Sequence, residues 1–229
     1  MGGRTVGSKL NHKTIVLNHD IYVRSYVKGG RLTNSIKFST YSDITIDLNG
    51  HSIKLCFNNK VDEDIYNSTS EADKKNTVVA MITLDASDST TTIIGDGVID
   101  ASCGIIPTYT FDIIRNNANL NIKGGTIIGG TSSVFVQTGI LNIEGGRFDL
   151  SKEYKDVNNP KAVAAYLINA FDNNFNKTAL INISGGEFVN FDPSKAPGET
   201  GKPSLLVNGY SVVSDDTTGE IIYKVIKNI

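Results

Sequence analysis

One short pattern constrains this chain more than any other. "LNIKGGTII" at Leu120–Ile128 returns as "LNIEGGRFD" from Leu141 and "INISGGEFV" from Ile181. Weaker relatives are "TIIGDGVID" from Thr92 and "IDLNGHSIK" from Ile46. Recurrence at short intervals marks a repeat architecture, and a repeat must be recognised before any single motif is read. The apolar residue before each glycine turn is taken as an anchor: Leu48, Ile94, Ile122, Ile143 and Ile183. Five residues beyond each stands an apolar partner: Ile53, Ile99, Ile127, Phe148 and Phe188.

The anchors lie 46, 28, 21 and 40 residues apart. The shortest interval reads as a strand, a glycine turn, a strand "TII", a turn "GGTSS" and a third strand "VFVQ". The longer intervals hold the same parts plus polar insertions, 58–76 and 151–162 being the largest. Third strands are expected in "SIKFS", "TVVAMITL", "TFDIIR", "VAAYLINAF" and, after the last anchor, "SLLVN". Three strands and three corners per repeat describe a parallel β-helix. No coil can bury its apolar face alone, so the coils stack into one core.

The expected fold is therefore all-β: a parallel β-helix of about five to six three-stranded coils with a C-terminal β-hairpin, its right-handed sense being implied by the resemblance given below. Residues 1–13 read as a tail or docking arm, 14–207 as the β-helix, and 208–229 as a hairpin cap. "KTIVLNHDIYV" starts the first coil. The tail carries Arg4, Lys9, His12 and Lys13 and no acid, which suits a flexible end or an arm that meets an acidic partner.

Strand alternation makes the register specific. Leu120 and Ile122 point inward, so Asn121 and Lys123 point outward. Asn121, Asn142 and Asn182 should then stack as an amide ladder. Lys123 should face Glu144, and Arg147 should face Glu187. Cys56 and Cys103 fall on opposite sides of their strands, so no disulfide is expected.

The glycines do not match a phosphate loop, which needs a strand, a Gly-rich loop and a helix. They serve tight corners, where positive φ is cheap for glycine. Two cysteines and three scattered histidines (His12, His19, His51) make no four-ligand zinc site. The net charge of −2 gives no reason to expect nucleic acid or an anionic membrane as partner. No apolar run reaches the roughly 18 residues of a membrane span, and no secretory signal is read at residues 1–13.

Catalytic readings are weighed and set behind structural ones. Asp100 and Asp149 each lie six residues past an anchor, on the same outward side and two coils apart. That separation, around 9–10 Å, touches the wide limit of an inverting glycosidase pair. Asp96, Asp100 and Asp112 with Arg115 are the acids and base available to a lyase-type calcium site. Asp96 is already explained by its corner. Asn67, Asn176 and Asn182 begin Asn-x-Ser/Thr triplets that arise readily in an Asn-rich chain. Tyr166, Phe171 and Phe175 could form a sugar-stacking patch, a subunit contact or core. No catalytic, cofactor-binding or metal-binding residue is assigned, and no cofactor is expected.

Two stretches carry a resemblance. "ITIDLNGHSI" (Ile44–Ile53) resembles the Asp-Leu-Asn-Gly coil of right-handed β-helix proteins of the pectate-lyase-like class. "GGEFVNFDPSKAPGETGKPSLLVNGYSVV" (Gly185–Val213) resembles a C-terminal element of β-helical proteins from gut bacteria and their phages. Several of those look like virion appendages, including head fibres and tail-associated proteins of crAss-like and related phages. The coil resemblance covers about residues 14–207 with generic motifs. The C-terminal element covers about 30 to 45 residues. No enzymatic motif is matched, so no catalytic residue is carried over. The chain is short beside depolymerase spikes of this class.

The resemblance implies a non-enzymatic structural virion protein, an exposed phage fibre or capsid decoration with host-glycan adhesion. Its partners would be capsid or other virion proteins, copies of itself (a trimer favoured) and a host surface polysaccharide, with no nucleic acid and no membrane. It would be located on the phage particle surface. The alternatives are a bacterial surface adhesin or carbohydrate-binding module, extracellular or on the cell surface, and a polysaccharide lyase or hydrolase.

Overall fold

The computed structural model describes residues 13–24, 26–28, 31–33, 36–38, 43–56, 79–102, 108–152, 166–195, 204–216 and 219–229. The ordered elements are strands, and they sort into three long sheets. The first sheet takes one strand from each passage of the chain: β1 (Lys13–Val16), β6 (Ile44–Asp47), β9 (Thr90–Ile94), β12 (Asn119–Ile122), β15 (Gly139–Ile143) and β18 (Ala179–Ile183). The second takes the next strand of each passage: β2 (Ile21–Arg24), β7 (Ser52–Cys56), β10 (Val98–Asp100), β13 (Thr126–Gly129), β16 (Arg147–Leu150) and β19 (Glu187–Val189). The third holds β5 (Ile36–Phe38), β8 (Val79–Leu84), β11 (Thr108–Ile113), β14 (Ser132–Val136) and β17 (Ile168–Ala170). Every pairing among these strands is parallel. The chain is a parallel β-helix.

Inward rows run through the stack. In the first sheet, Ile15, Ile46, Ile93, Ile122, Ile143 and Ile183 stand level, strand over strand. In the second, Ile53, Ile99, Ile127, Phe148 and Phe188 do the same. The rings of Phe148 and Phe188 lie 5.0 Å apart and nearly parallel. In the third, Ile82, Phe111, Val134 and Ile168 form the row. All except Ile15 belong to one buried core, because each passage roofs the apolar face of its neighbour.

The register corrects the expected spacing. In the three Gly-Gly repeats, five residues separate the inward positions, as from Ile122 to Ile127. In the other two, Ile93 rather than Ile94 stands level with Ile122, and Ile46 rather than Leu48 stands level with Ile93. Their corners are therefore one and two residues longer. Leu48 is still fully buried, because its wider corner turns it inward. The downstream positions Ile53 and Ile99 are as expected.

The glycine pairs have two different jobs. The second of each pair, Gly125, Gly146 and Gly186, has positive φ. The first does not; it lies against backbone. A Cβ on Gly145 would sit 2.5 Å from the Lys123 carbonyl oxygen, and one on Gly185 would sit 2.1 Å from that of Glu144. Stacked corners at strand spacing leave no room for a side chain there.

The C-terminal residues form an antiparallel hairpin, β20 (Tyr210–Asp215) and β21 (Ile222–Lys227). β21 pairs antiparallel with β19 and so extends the second sheet. "SLLVN" does not behave as a third-side strand. Leu206 bridges Ile183 in the first sheet, with Val207 N–H donating to the Ile183 carbonyl at 2.9 Å. Leu205 instead returns to the turn at Asp192–Lys195, its N–H donating to the Pro193 carbonyl at 3.0 Å. A second small hairpin, β3 (Tyr26–Lys28) and β4 (Arg31–Thr33), leaves the stack between β2 and β5. The 58–76 insertion, residues 153–162 of the second one, tail residues 1–12 and the Cys56 and Cys103 side chains lie outside the described residues.

Candidate functional site

The outward faces carry the polar chemistry. The amide ladder forms as expected: Asn142 Nδ2 donates to Asn121 Oδ1 at 2.8 Å, and Asn182 Nδ2 donates to Asn142 Oδ1 at 2.9 Å. Lys123 Nζ meets Glu144 at 3.1 Å, and Arg147 meets Glu187 at 3.7 Å. Lys224 of the hairpin shares Glu187 at 3.2 Å, a partner that local spacing could not supply. Beside these rows, the glycine corners leave a trough of about 380 Å³ lined by Asp96, Gly97, Lys123, Gly124, Gly125, Thr126 and Gly146.

Asp100 and Asp149 share one row of the second sheet, with Ile128 level between them. Two strand spacings put them about 9–10 Å apart. Each carboxylate turns to nearby backbone: Asp100 accepts from Ser102 N–H at 2.8 Å, and Asp149 from Leu150 N–H at 2.7 Å. Such Asx-type bonds hold the side chain along its own strand rather than toward a shared substrate atom.

The four residues considered for a lyase-type site are not brought together. Asp96 sits in the corner after β9, Asp100 on the second sheet and Asp112 on the third. Arg115 pairs instead with Asp85, which also meets Lys37. The Lys37 hydrogen bond, helped by Arg115, holds the Asp85 carboxyl below the usual range against the opposing effect of burial. Three successive strands of one passage face three directions, so sequence proximity here means spatial separation. Among the described residues no group of three or more potential metal ligands converges.

Asp112 is the most unusual carboxylate. It points out from β11, yet only 7% of the residue is exposed. Gln137 Nε2 donates to both of its oxygens, at 3.0 and 2.9 Å. Its row neighbours are Thr83 and Phe135, both buried. Burial pushes its pKa up to about 6, with the Gln137 bond pulling the other way. Burial, and then the Asp112 charge, push the Tyr109 phenol up to about 12.

Tyr109 also begins an aromatic run across the third sheet. Its ring lies 4.8 Å from Phe135, which meets Phe171 edge-on at 4.9 Å. Phe171 is 49% exposed. The expected trio of Tyr166, Phe171 and Phe175 is therefore not one patch. Phe175 turns toward the core and bridges Ala179. Tyr166 N–H donates to Thr131. Aligning the third strands would have put Phe135 and Phe171 on one outer face; what covers that face could not be read from any strand.

Asn176 adopts positive φ in an exposed turn, its N–H donating to Ala179, so its residue type is explained by the turn. Asn67 lies outside the described residues. No family model, curated protein or solved structure matches this chain.

Proposed function

We propose that the chain is a non-enzymatic structural protein of a phage virion, an exposed fibre or decoration of the particle with host-glycan adhesion as an added role. The observation that carries this reading is the stack itself. Three parallel sheets share one core, and their corners admit insertions without breaking any row. Such a rod is stiff, keeps most of its backbone hydrogen bonds inside the ladders and presents its loops sideways. The resemblance of Gly185–Val213 to virion appendages supports the particle assignment. In the fold, that stretch spans the last corner of the stack and the entry to the closing hairpin.

Adhesion is supported by the aromatic run that ends in the half-exposed ring of Phe171. Apolar sugar faces stack on such rings, and the Asp112–Gln137 pair lies on the same outer face. Subunits would associate side by side, a trimer being favoured, through the sheet faces. The test is mass spectrometry of purified virions, with cryo-electron microscopy to locate the chain. The expected result is a stoichiometric particle component. Recovery only from bacterial cell envelopes would sink the virion reading and favour a surface adhesin. Purified chain that ignores host surface polysaccharide would remove the adhesive role.

A further inference from the structure

The two ends of the stack are built differently. At the beginning, all three sheets start level: β1, β2 and β5 each come from the first passage, and each is the outermost strand of its sheet. Among the described residues nothing pairs with their outer edges. At the other end the sheets stop at different heights. Among the described residues the third ends at β17, the first reaches Leu206 beyond β18, and the second runs on to β20. A flat end cannot mate with a staggered one across all three sheets. It can mate with another flat end.

The flat end is also apolar. Ile15 begins the inward isoleucine row yet is 45% exposed, and among the described residues no strand roofs it. Ile21, Ile36 and Phe38 of the same passage are likewise only partly buried against the core. β1 has no proline, and its one charge, Lys13, stands at its first position, so the rest of its edge is open as a template for another strand. The backbone sets the register. Lys13 and Leu17 N–H groups donate inward, to Asp43 and Asp47 at 3.1 and 2.9 Å. The alternate residues Thr14 and Val16 therefore turn their amides to the free edge.

We propose that two copies of this chain associate end to end through this flat face, about a two-fold axis through the first sheet and perpendicular to the stack. Antiparallel pairing of β1 with its copy then sets Thr14 against the copy's Val16 and Ile15 against the copy's Ile15. The isoleucine row continues across the axis, and the same rotation sets β2 against the copy's β5 on both flanks. No like charges oppose one another along β1, since Lys13 falls opposite the copy's Leu17. The contact is isologous and closes on itself, so it yields a dimer rather than a filament. It uses edges only and leaves the sheet faces free for lateral association. It rests on strand order and exposure, independently of the virion assignment.

The test is the mass of the full chain in solution, by light scattering and sedimentation over a range of concentrations. The expected species has an even number of copies, and its mass halves in Ile15→Glu and in Ile15→Lys, each weakening association at least ten-fold. Mixing those two variants restores the full mass, because opposite charges then meet on the axis. Val16→Pro removes a free-edge donor while sparing the bonds to β6 and should also halve the mass, with an unchanged circular dichroism spectrum. It stands as the check if a charge at Ile15 unfolds the first coil. A monomer or an odd-numbered assembly would overturn the proposal. So would an assembly indifferent to Ile15 and Val16, or one lost on Val213→Lys at the hairpin end.

Discussion

Asp112 shows what a single residue can cost in this fold. Its carboxyl is buried on the outer face of the third sheet, with an amide for a partner and no cation among the described residues that contact it. A folded pKa raised to about 6, against an unfolded value near 3.8, means that the folded state holds the proton more tightly. Stability is therefore greatest below about pH 4 for this group and is lost as pH rises through about 6. The full linkage is on the order of 2–3 kcal/mol. Asp112→Asn should raise the melting temperature by several degrees at pH 7.5 and by little at pH 4. Equal effects at both pH values would show that the carboxylate is not buried as described.

The glycines separate two physical causes at residue scale. Gly50 has φ +77° with open space around its Cβ direction, whereas Gly185 has ordinary φ and backbone 2.1 Å from that direction. Gly50→Ala costs only left-handed strain, roughly 1–2 kcal/mol. Gly185→Ala must push two stacked corners apart, about 1–3 kcal/mol or more. Chemical denaturation should therefore rank Gly185→Ala as the more damaging. The reverse order would mean that corner stacking is loose.

A strand's fate depends on which side of the pleat is changed. On β12, Ile122 is fully buried in the isoleucine row, while Asn121 faces out and uses its carbonyl oxygen to accept from Asn142. Ile122→Asp places a charge in a core with no partner and should abolish the cooperative transition. Asn121→Asp keeps the acceptor and should change stability by less than about 0.5 kcal/mol. Comparable losses in the two variants would mean that β12 is paired one residue out of register.

How much was legible at this scale follows from period. The Asn121–Asn142–Asn182 ladder and the Lys123–Glu144 and Arg147–Glu187 pairs could be read because alternation and the Gly-Gly corner together fix both face and level. The first two corners could not be aligned. "DLNGHS" and "IGDGV" contain two and one residues more than the Gly-Gly corners, and a corner, unlike a strand, has no period to reveal its length. The "SLLVN" segment was misplaced for a related reason. An apolar run shows that it is buried, not which of three sheets it joins.

At the scale of the whole molecule, the stack explains why the sequence tolerates long polar insertions. Each row is built from short strands, so a loop that leaves a corner and returns costs only its closure entropy. It also explains why the two ends behave differently. The C-terminal end is covered by β21, whose Val225 is buried against the core, and Glu187 is shared between Arg147 of the stack and Lys224 of the hairpin. Among the described residues the opposite end keeps three level edges unpaired, and the proposed two-fold contact answers that asymmetry.

By itself the sequence determined the parallel stack, the inward and outward faces of its cleanest repeats and the outward charge pairs. These depend on residues close in register, and a period of two with a recurrent corner encodes them locally. Only the tertiary structure decided which strands end each sheet, where Leu206 lands, that Asp112 is buried although it faces outward, and that Tyr109, Phe135 and Phe171 meet. Those features depend on what lies above, below or across a face. No residue's neighbours in the chain specify that; the stacking of separate passages does.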